Sequence, residues 1–266
     1  MREIMKKIIA VVLIILFAFS SCGVAGEKGT ENDETVFPIR YRDAGVEITI
    51  EKQWYLGTCC YIAHLRMTDF SRLKTGMAKD RYGRKERPAR FAEKHGCLLT
   101  VNGDYSEGVK KGVLRCGVIY RGDDTVADGA YSQKTGVLAA GNGATLSGLA
   151  SLGYTDSFGF GADVLVKDGV SVYFRKDGGK KAQRTLIGAT GVPGEIYLVV
   201  TEGRYSDDVS PGLQYYEAGD LLQSLGCTYG IALDGGRSSS MVWDGCVLDQ
   251  NRSRKVTGFV YVTGLP

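Results

Sequence analysis

What constrains this chain most is the brevity of its apolar runs. Residues 61–67, 98–101, 117–120, 162–166, 196–201, 230–233 and 259–262 are rich in Val, Ile, Leu and Tyr, with Gly or Asp interrupting the sequence around them. Runs this short, in β-branched and aromatic residues, predict strands. Two segments break the pattern. Residues 88–95 open on Pro88 and stop at Gly96, and residues 213–225 place Ala218, Leu221, Leu222 and Leu225 on one face before Gly226. Both carry helix boundary signals. Many strands with few helices predict a mixed α/β (α+β) class, an antiparallel-rich mixed sheet with helices packed on it. Residues 36–266 suffice for one sizeable core and are few for two, so a single domain is expected.

Each predicted helix is followed by Gly-Cys, a short apolar run and then a polar residue beside glycine: Asn102-Gly103 in the first case, Asp234-Gly235-Gly236 in the second. Two strands should therefore deliver polar groups at their carboxyl ends, where loops begin. Between them, residues 185–189 and 196–201 flank Gly191-Val192-Pro193-Gly194 and predict a hairpin. Antiparallel pairing about that turn sets Arg184 opposite Thr201. It brings Arg184 and Glu202 to the same open end, as a cation and a carboxylate meeting at the hairpin mouth.

Asp234-Gly235-Gly236-Arg237-Ser238-Ser239-Ser240 sets a carboxylate and three hydroxyls beside freely turning backbone, an arrangement suited to an anion or a sugar. An Asp-Gly pair alone more often marks a plain turn with solvated serines. Asn102 equally suits a turn residue, and Arg184 equally suits a hairpin ion pair with Glu202. Glu217 reads as a solvated or locally paired helix residue.

Leu233-Asp234-Gly235-Gly236 with Ser238, Ser239 and Ser240 resembles the LDGGGSS signature of the phosphodiester glycosidase family. Four further segments share the likeness, in family order. Val101-Asn102-Gly103-Asp104-Tyr105 resembles its NGGFF or NGDF segment, and Arg184-Thr185-Leu186-Ile187-Gly188 its R-x-A-I-G strand. Leu198-Val199-Val200-Thr201-Glu202-Gly203-Arg204 is similar to a strand ending in D-G-R, and residues 214–226 to the helix before the signature. The likeness spans residues 45–264. Arg237 departs from it, standing where a third glycine is usual, and Glu202 replaces the usual Asp.

The resemblance implies a hydrolase that cleaves the sugar–phosphate bond of a sugar-1-phosphodiester, such as a GlcNAc-1-phosphodiester on extracytoplasmic glycans. Catalytic roles fall to Asp234, Glu202 and Arg184, and substrate binding to Asn102, Gly103, Gly235, Gly236, Arg237, Ser238 and Ser239. The chemistry agrees. A phosphate monoester, with a second pKa of about 6, leaves far more easily than an alcohol. The reaction therefore leans on a cation that grips phosphate and on carboxylates near the anomeric carbon, more than on a strong general acid. Guanidinium suits the first role because it holds phosphate oxygens bidentately. No cofactor is implied and no metal site is expected, although a structural cation near Asp123-Asp124 or Asp207-Asp208 stays open.

Three rivals remain. A serine hydrolase lacks a GxSxG elbow, and its base would have to be His64 or His95. Phosphorus-side cleavage wants two metals or a histidine nucleophile. A non-catalytic glycan-binding surface lipoprotein would use the same pocket without turnover.

The N-terminus carries a separate message. Arg2, Lys6 and Lys7 precede the apolar residues 8–19, which span about 18 Å as a helix against the roughly 30 Å of a bilayer core. Phe19-Ser20-Ser21-Cys22 resembles a lipobox. Residues 1–21 are expected to be a signal peptide and Cys22 the lipidation site. Residues 22–35, polar and Gly-rich, would form a flexible tether holding residues 36–266 at the outer face of a bacterial cytoplasmic membrane or another envelope membrane. Losing residues 1–21 removes three positive charges and one negative, taking the formal net charge from +3 to +1 and leaving no general reason to bind nucleic acid. Cys59, Cys60, Cys97, Cys116, Cys227 and Cys246 form an even set outside the cytoplasm, which permits disulfides. Cys59 and Cys60 should point to opposite faces if they share a strand.

Overall fold

The computed structural model describes residues 35–81, 84–103, 119–121, 124–127, 136–139, 157–162, 164–173, 179–203, 210–251 and 254–264. The early strands are β1 (Ile39–Arg42), β2 (Val46–Tyr55), β3 (Thr58–Met67), β4 (Leu73–Met77) and β5 (Cys97–Asn102). Then follow β6 (Ile119–Arg121), β7 (Asp124–Ala127), β8 (Gly136–Ala139), β9 (Ser157–Ala162), β10 (Val164–Lys167) and β11 (Val170–Ser171). The hairpin strands are β12 (Thr185–Ala189) and β13 (Glu195–Thr201). The last four are β14 (Tyr229–Ala232), β15 (Met241–Trp243), β16 (Cys246–Val247) and β17 (Gly258–Thr263).

An eight-stranded sheet runs β1-β2-β3-β13-β12-β14-β10-β11 and a five-stranded sheet runs β16-β15-β5-β17-β4. Every pairing described within them is antiparallel. The α+β class and its antiparallel-rich sheet with helices packed on it hold; β6-β7 and β8-β9 form separate two-stranded pairs, and the two larger sheets face each other. The reason is side-chain alternation. Val46, Ile48 and Ile50 of β2 and Ile187 and Ala189 of β12 share one buried cluster with Leu99 and Val101 of β5 and Val260 and Val262 of β17, so the sheets face each other.

Among the described residues, each outer face carries one α-helix. Helix α1 (Pro88–His95) lays Phe91 and Ala92 against Val242 and Phe259 of the smaller sheet. Its Pro88 stands at the first turn, and Gly96 ends it at φ 57°. Helix α2 (Tyr215–Ser224) packs Ala218, Leu221 and Leu222 on Leu186, Val199 and Ala232 of the larger one. Gly188 and Gly230, opposite one another in register, give α2 its seat. A Cβ on Gly188 would stand 2.5 Å from Cys227 Sγ, and one on Gly230 2.6 Å from Leu222 Cδ1. Glu217 is buried rather than solvated: it accepts the Gln214 N–H at 2.8 Å in a capping box and pairs with Lys181 at 3.2 Å.

The hairpin register is the expected one, with Thr185 opposite Val200 and Ala189 opposite Ile196. Residues 162–166, read as one strand, are divided between β9 and β10. Those two strands pair with different neighbours, β8 and β14. Cys59 and Cys60 do face opposite clusters. The disulfides that the cysteine count permits are not formed among the described cysteines: Cys59, Cys60, Cys97, Cys227 and Cys246 all remain thiols, four of them in the core. Burial pushes the Cys60 and Cys227 thiols up to about 12, so they remain protonated. Cys22, Cys116, Asp104, Tyr105, Asp123, Arg204, Asp207 and Asp208 lie outside the described residues.

Candidate active site

Both sheets bring strand ends to one place. The carboxyl ends of β5, β13 and β14 meet there with the starts of β3, β12, β15 and β17, as antiparallel neighbours require. Asn102 closes β5, wholly buried. Its Oδ1 accepts from Thr185 Oγ1 at 2.7 Å and from the Ser240 N–H at 3.1 Å, and its Nδ2 donates to Asp234 O at 2.6 Å. The Asp234 N–H returns to Gly103 O at 3.0 Å, and the Gly103 N–H donates to Gly258 O at 2.8 Å. The two echoed strand ends thus clamp one another. Asn102 has three of its four hydrogen-bonding positions committed, one each to Thr185, Ser240 and the Asp234 backbone, so it ties β12 and the serine loop to the same point.

From that clamp the loop crosses to the start of β12. The Gly236 N–H donates to Gln183 O at 2.9 Å, and a Cβ on Gly235 would meet the same oxygen at 2.9 Å and Arg184 Nη1 at 3.9 Å. Only glycine lets the loop lie so close. Positive φ in residues 234–240 falls on Gly236 alone, at 61°, so the backbone at Arg237 does not require glycine. Arg237 is exposed, which is why an arginine fits where the family has a third glycine. Ser238 Oγ accepts from Arg254 Nε at 2.9 Å, and Arg254 Nη2 stands 3.8 Å from Asp234 Oδ2.

Arg184 and Glu202 reach the same end but do not form the ion pair expected of them. The Thr201 N–H donates to Arg184 O at 2.8 Å, and the Arg184 N–H to Thr201 Oγ1 at 2.9 Å, so these two residues face each other as read. Glu202 is one residue further on, and one residue along a strand changes the face. Leu186 packs under α2, and Arg184, two residues before it, is on the same face. Leu198 and Val200 pack between the sheets, and Glu202 follows them.

The guanidinium is fixed on its own face. Nε donates to Leu213 O at 2.9 Å, Nη2 donates to Lys180 O at 2.8 Å, and Cζ lies 4.0 Å above the Tyr215 ring. Among the described residues no carboxylate pairs with it, although it is only 8% exposed. Glu202, 0% exposed, accepts at Oε1 from the Tyr61 hydroxyl at 2.9 Å and the Gln250 N–H at 3.2 Å. Burial and the Glu202 charge hold the Tyr61 phenol far above its ordinary range, which keeps it a donor.

Sequence reasoning missed Tyr61, Gln183, Asp249, Gln250, Asn251 and Arg254. Asp249 anchors the loop that serves Glu202: it accepts the Met241 N–H at 2.6 Å and the Asn251 N–H at 3.1 Å, and burial pushes its carboxyl up to about 7. Asn251 Nδ2 then reaches Thr201 O at 3.3 Å and Ser239 O at 3.5 Å, tying the Glu202 strand to the serine loop. The cluster Asp249-Gln250-Asn251 was a visible signal, polar residues directly after Leu248. The described cavities lie elsewhere, including one of about 310 Å³ at the other end of the β12–β13 hairpin, beside Val192, Pro193 and Gly194. It borders none of the polar network above. No group of His, Cys, Asp and Glu suited to a metal ion occurs among the described residues.

The sequence model of the phosphodiester glycosidase family matches residues 95–263, more than half the chain. This chain belongs to the phosphodiester glycosidase family. It is accordingly a hydrolase of the glycosidase type, and the matched span contains Asn102, Arg184, Glu202 and the whole loop from Asp234 to Ser240. No curated protein matches the sequence.

Among solved structures, the catalytic domain of zebrafish N-acetylglucosamine-1-phosphodiester alpha-N-acetylglucosaminidase, auto-inhibited by its pro-peptide, is similar at a TM-score of 0.63 and 15% identity, covering 83% of each chain. A hypothetical protein from Synechocystis is similar at a TM-score of 0.57 and 13% identity, covering 82% of this chain and 62% of that one. At such identities the likeness is one of fold. The phosphodiester glycosidase match starts at residue 95 and leaves β1 to β4 outside it, a shorter span than the 45–264 read from the motifs.

Proposed function

We propose that this phosphodiester glycosidase hydrolyses a sugar-1-phosphodiester, for example a GlcNAc-1-phosphodiester on extracytoplasmic glycans, on the carbon side of the glycosidic oxygen. The observation that carries the reading is Arg184: a nearly buried guanidinium, held by two carbonyls and an aromatic ring, with no carboxylate partner among the described residues and its Nη1 edge beside Gly235. A buried cation without an acid needs an anion, and guanidinium geometry favours phosphate. Arg184 grips the phosphate. Asp234, next to Gly235, is the carboxylate that faces the anomeric carbon and stabilises its developing positive charge. Glu202, enclosed and held by Tyr61 and Gln250, is the supporting carboxylate. Water adds to the anomeric carbon as the bond from that carbon to oxygen breaks; the phosphate monoester leaves with the electron pair, and the proton that water sheds passes to it or to solvent, its second pKa being about 6.

Hydrolysis in 18O-labelled water tests this directly. Label in the released sugar is expected, since the attack is on carbon. Label in the phosphate would place the cut on phosphorus and overturn the reading, and binding without turnover would favour the glycan-binding alternative.

The location is proposed on the same footing. The charged start, the apolar residues 8–19 and Phe19-Ser20-Ser21-Cys22 support export, cleavage before Cys22 and a lipid anchor, with residues 22–35 as tether to the domain at 36–266. Mass spectrometry of membrane-extracted protein should show a diacylglyceryl group on an N-terminal Cys22. A mature chain lacking Cys22 would end the proposal.

A further inference from the structure

Gln183 is a wholly buried side chain at this end that no motif singled out. Neither its Oε1 nor its Nε2 has a hydrogen-bond partner among the described residues. Its backbone is fully placed: its oxygen receives the Gly236 N–H at 2.9 Å, and its Cγ and Cδ lie 3.1 Å from where a Cβ on Gly203 would stand. The side chain therefore lies against the Glu202-Gly203 backbone, while the backbone oxygen of the same residue holds Gly236, immediately before Arg184.

Other groups at this strand end share its condition. Glu202 Oε2, Ser239 Oγ and Asn251 Oδ1 are also buried without a partner, and Asn251 Nδ2 bridges the Thr201 and Ser239 carbonyls among them. Buried polar atoms are nearly always paired in a working protein, so this concentration marks a place that a polar guest completes. The guest's chemistry follows from the inventory. Gln183 offers two donors and an acceptor, Glu202 and Asn251 offer acceptors, and Ser239 offers either. A phosphate, which only accepts, meets repulsion at Glu202 and Asn251. A ring bearing several hydroxyls both donates and accepts.

We propose that Gln183, with Ser239 and Asn251, is the sugar-reading subsite of this enzyme. The inference rests on the sugar-1-phosphodiester reading and sorts its two halves: phosphate to Arg184 on the α2 face of the sheet, sugar to the polar groups between Glu202 and the serine loop.

Gln183→Met keeps the length and volume of the side chain and removes both polar atoms. Steady-state kinetics on sugar-1-phosphodiesters, calorimetric binding of the free sugar product, and Tm of the unliganded protein are measured together. A rise in KM of about 10- to 100-fold and loss of sugar binding are expected, with Tm unchanged or higher, because an unpaired buried amide has been replaced by an apolar group. Gln183→Asn, which retains the amide one methylene short, should fall between.

Kinetics and sugar binding within twofold of the wild type would overturn the inference. So would a Gln183→Met protein that fails to fold or loses several degrees of Tm, since the amide would then be structural. Failure of the wild type to hydrolyse any sugar-1-phosphodiester would sink the functional reading. Intact sugar binding that depends on Gln183 would even then preserve the subsite.

Discussion

Asp234→Asn should lower kcat by about 10³-fold while leaving the fold and KM nearly unchanged. The loop is held by the Asp234 backbone, through its N–H to Gly103 O and its carbonyl from Asn102 Nδ2, and the substitution touches neither. Carboxamide and carboxylate have almost the same shape. What disappears is the negative charge, which a positively charged anomeric carbon needs only as the transition state forms. A group acting in this way shows its loss in kcat and kcat/KM together. Steady-state kinetics with a thermal-unfolding control decide the matter. A kcat within threefold of the wild type would remove Asp234 from the anomeric carbon.

The same clamp shows what a sequence discloses. Both helices and their stops, the hairpin register and the polar strand ends were legible because each is set by neighbours within a few residues: Pro88 and Gly96, Gly191 to Gly194, Asn102-Gly103. Strand β2 was also legible in principle, since Val46, Ile48 and Ile50 alternate with polar residues, but a search for continuous apolar runs passes over it. The pairing of two sheets into one core was not legible. It depends on which face of each strand meets which other strand, and nothing local fixes that. Tyr61 lies 141 residues from the Glu202 it hydrogen-bonds, and Gln250 lies 48 residues from the same carboxylate. Arg184 and Glu202 show the limit most sharply. The register was right, and the ion pair drawn from it was not, because facing residues share a side of the sheet and the next residue does not.

That separation sets up the second large effect, at Arg184. Arg184→Lys keeps the positive charge, so if charge alone mattered the variant would work. The guanidinium plane lies on Tyr215 and spends one donor on each of two carbonyls, which leaves three N–H groups oriented by the protein before any substrate arrives. An ammonium has three donors in all, no plane to stack and a shorter reach. Satisfying Leu213 O and Lys180 O would use two of them. Nothing bidentate remains for phosphate, and kcat/KM on phosphodiesters should fall about 10²- to 10³-fold.

A purely structural arginine predicts something different: lower Tm, and equal damage to every substrate. The two are separated by a sugar carrying a neutral leaving group in place of the phosphodiester. Weak as its hydrolysis is expected to be, Arg184→Lys should depress it far less than it depresses the phosphodiester. A ratio that does not change between the two substrates would mean that the unpaired guanidinium serves the fold, and the anion it awaits would have to be sought at another residue.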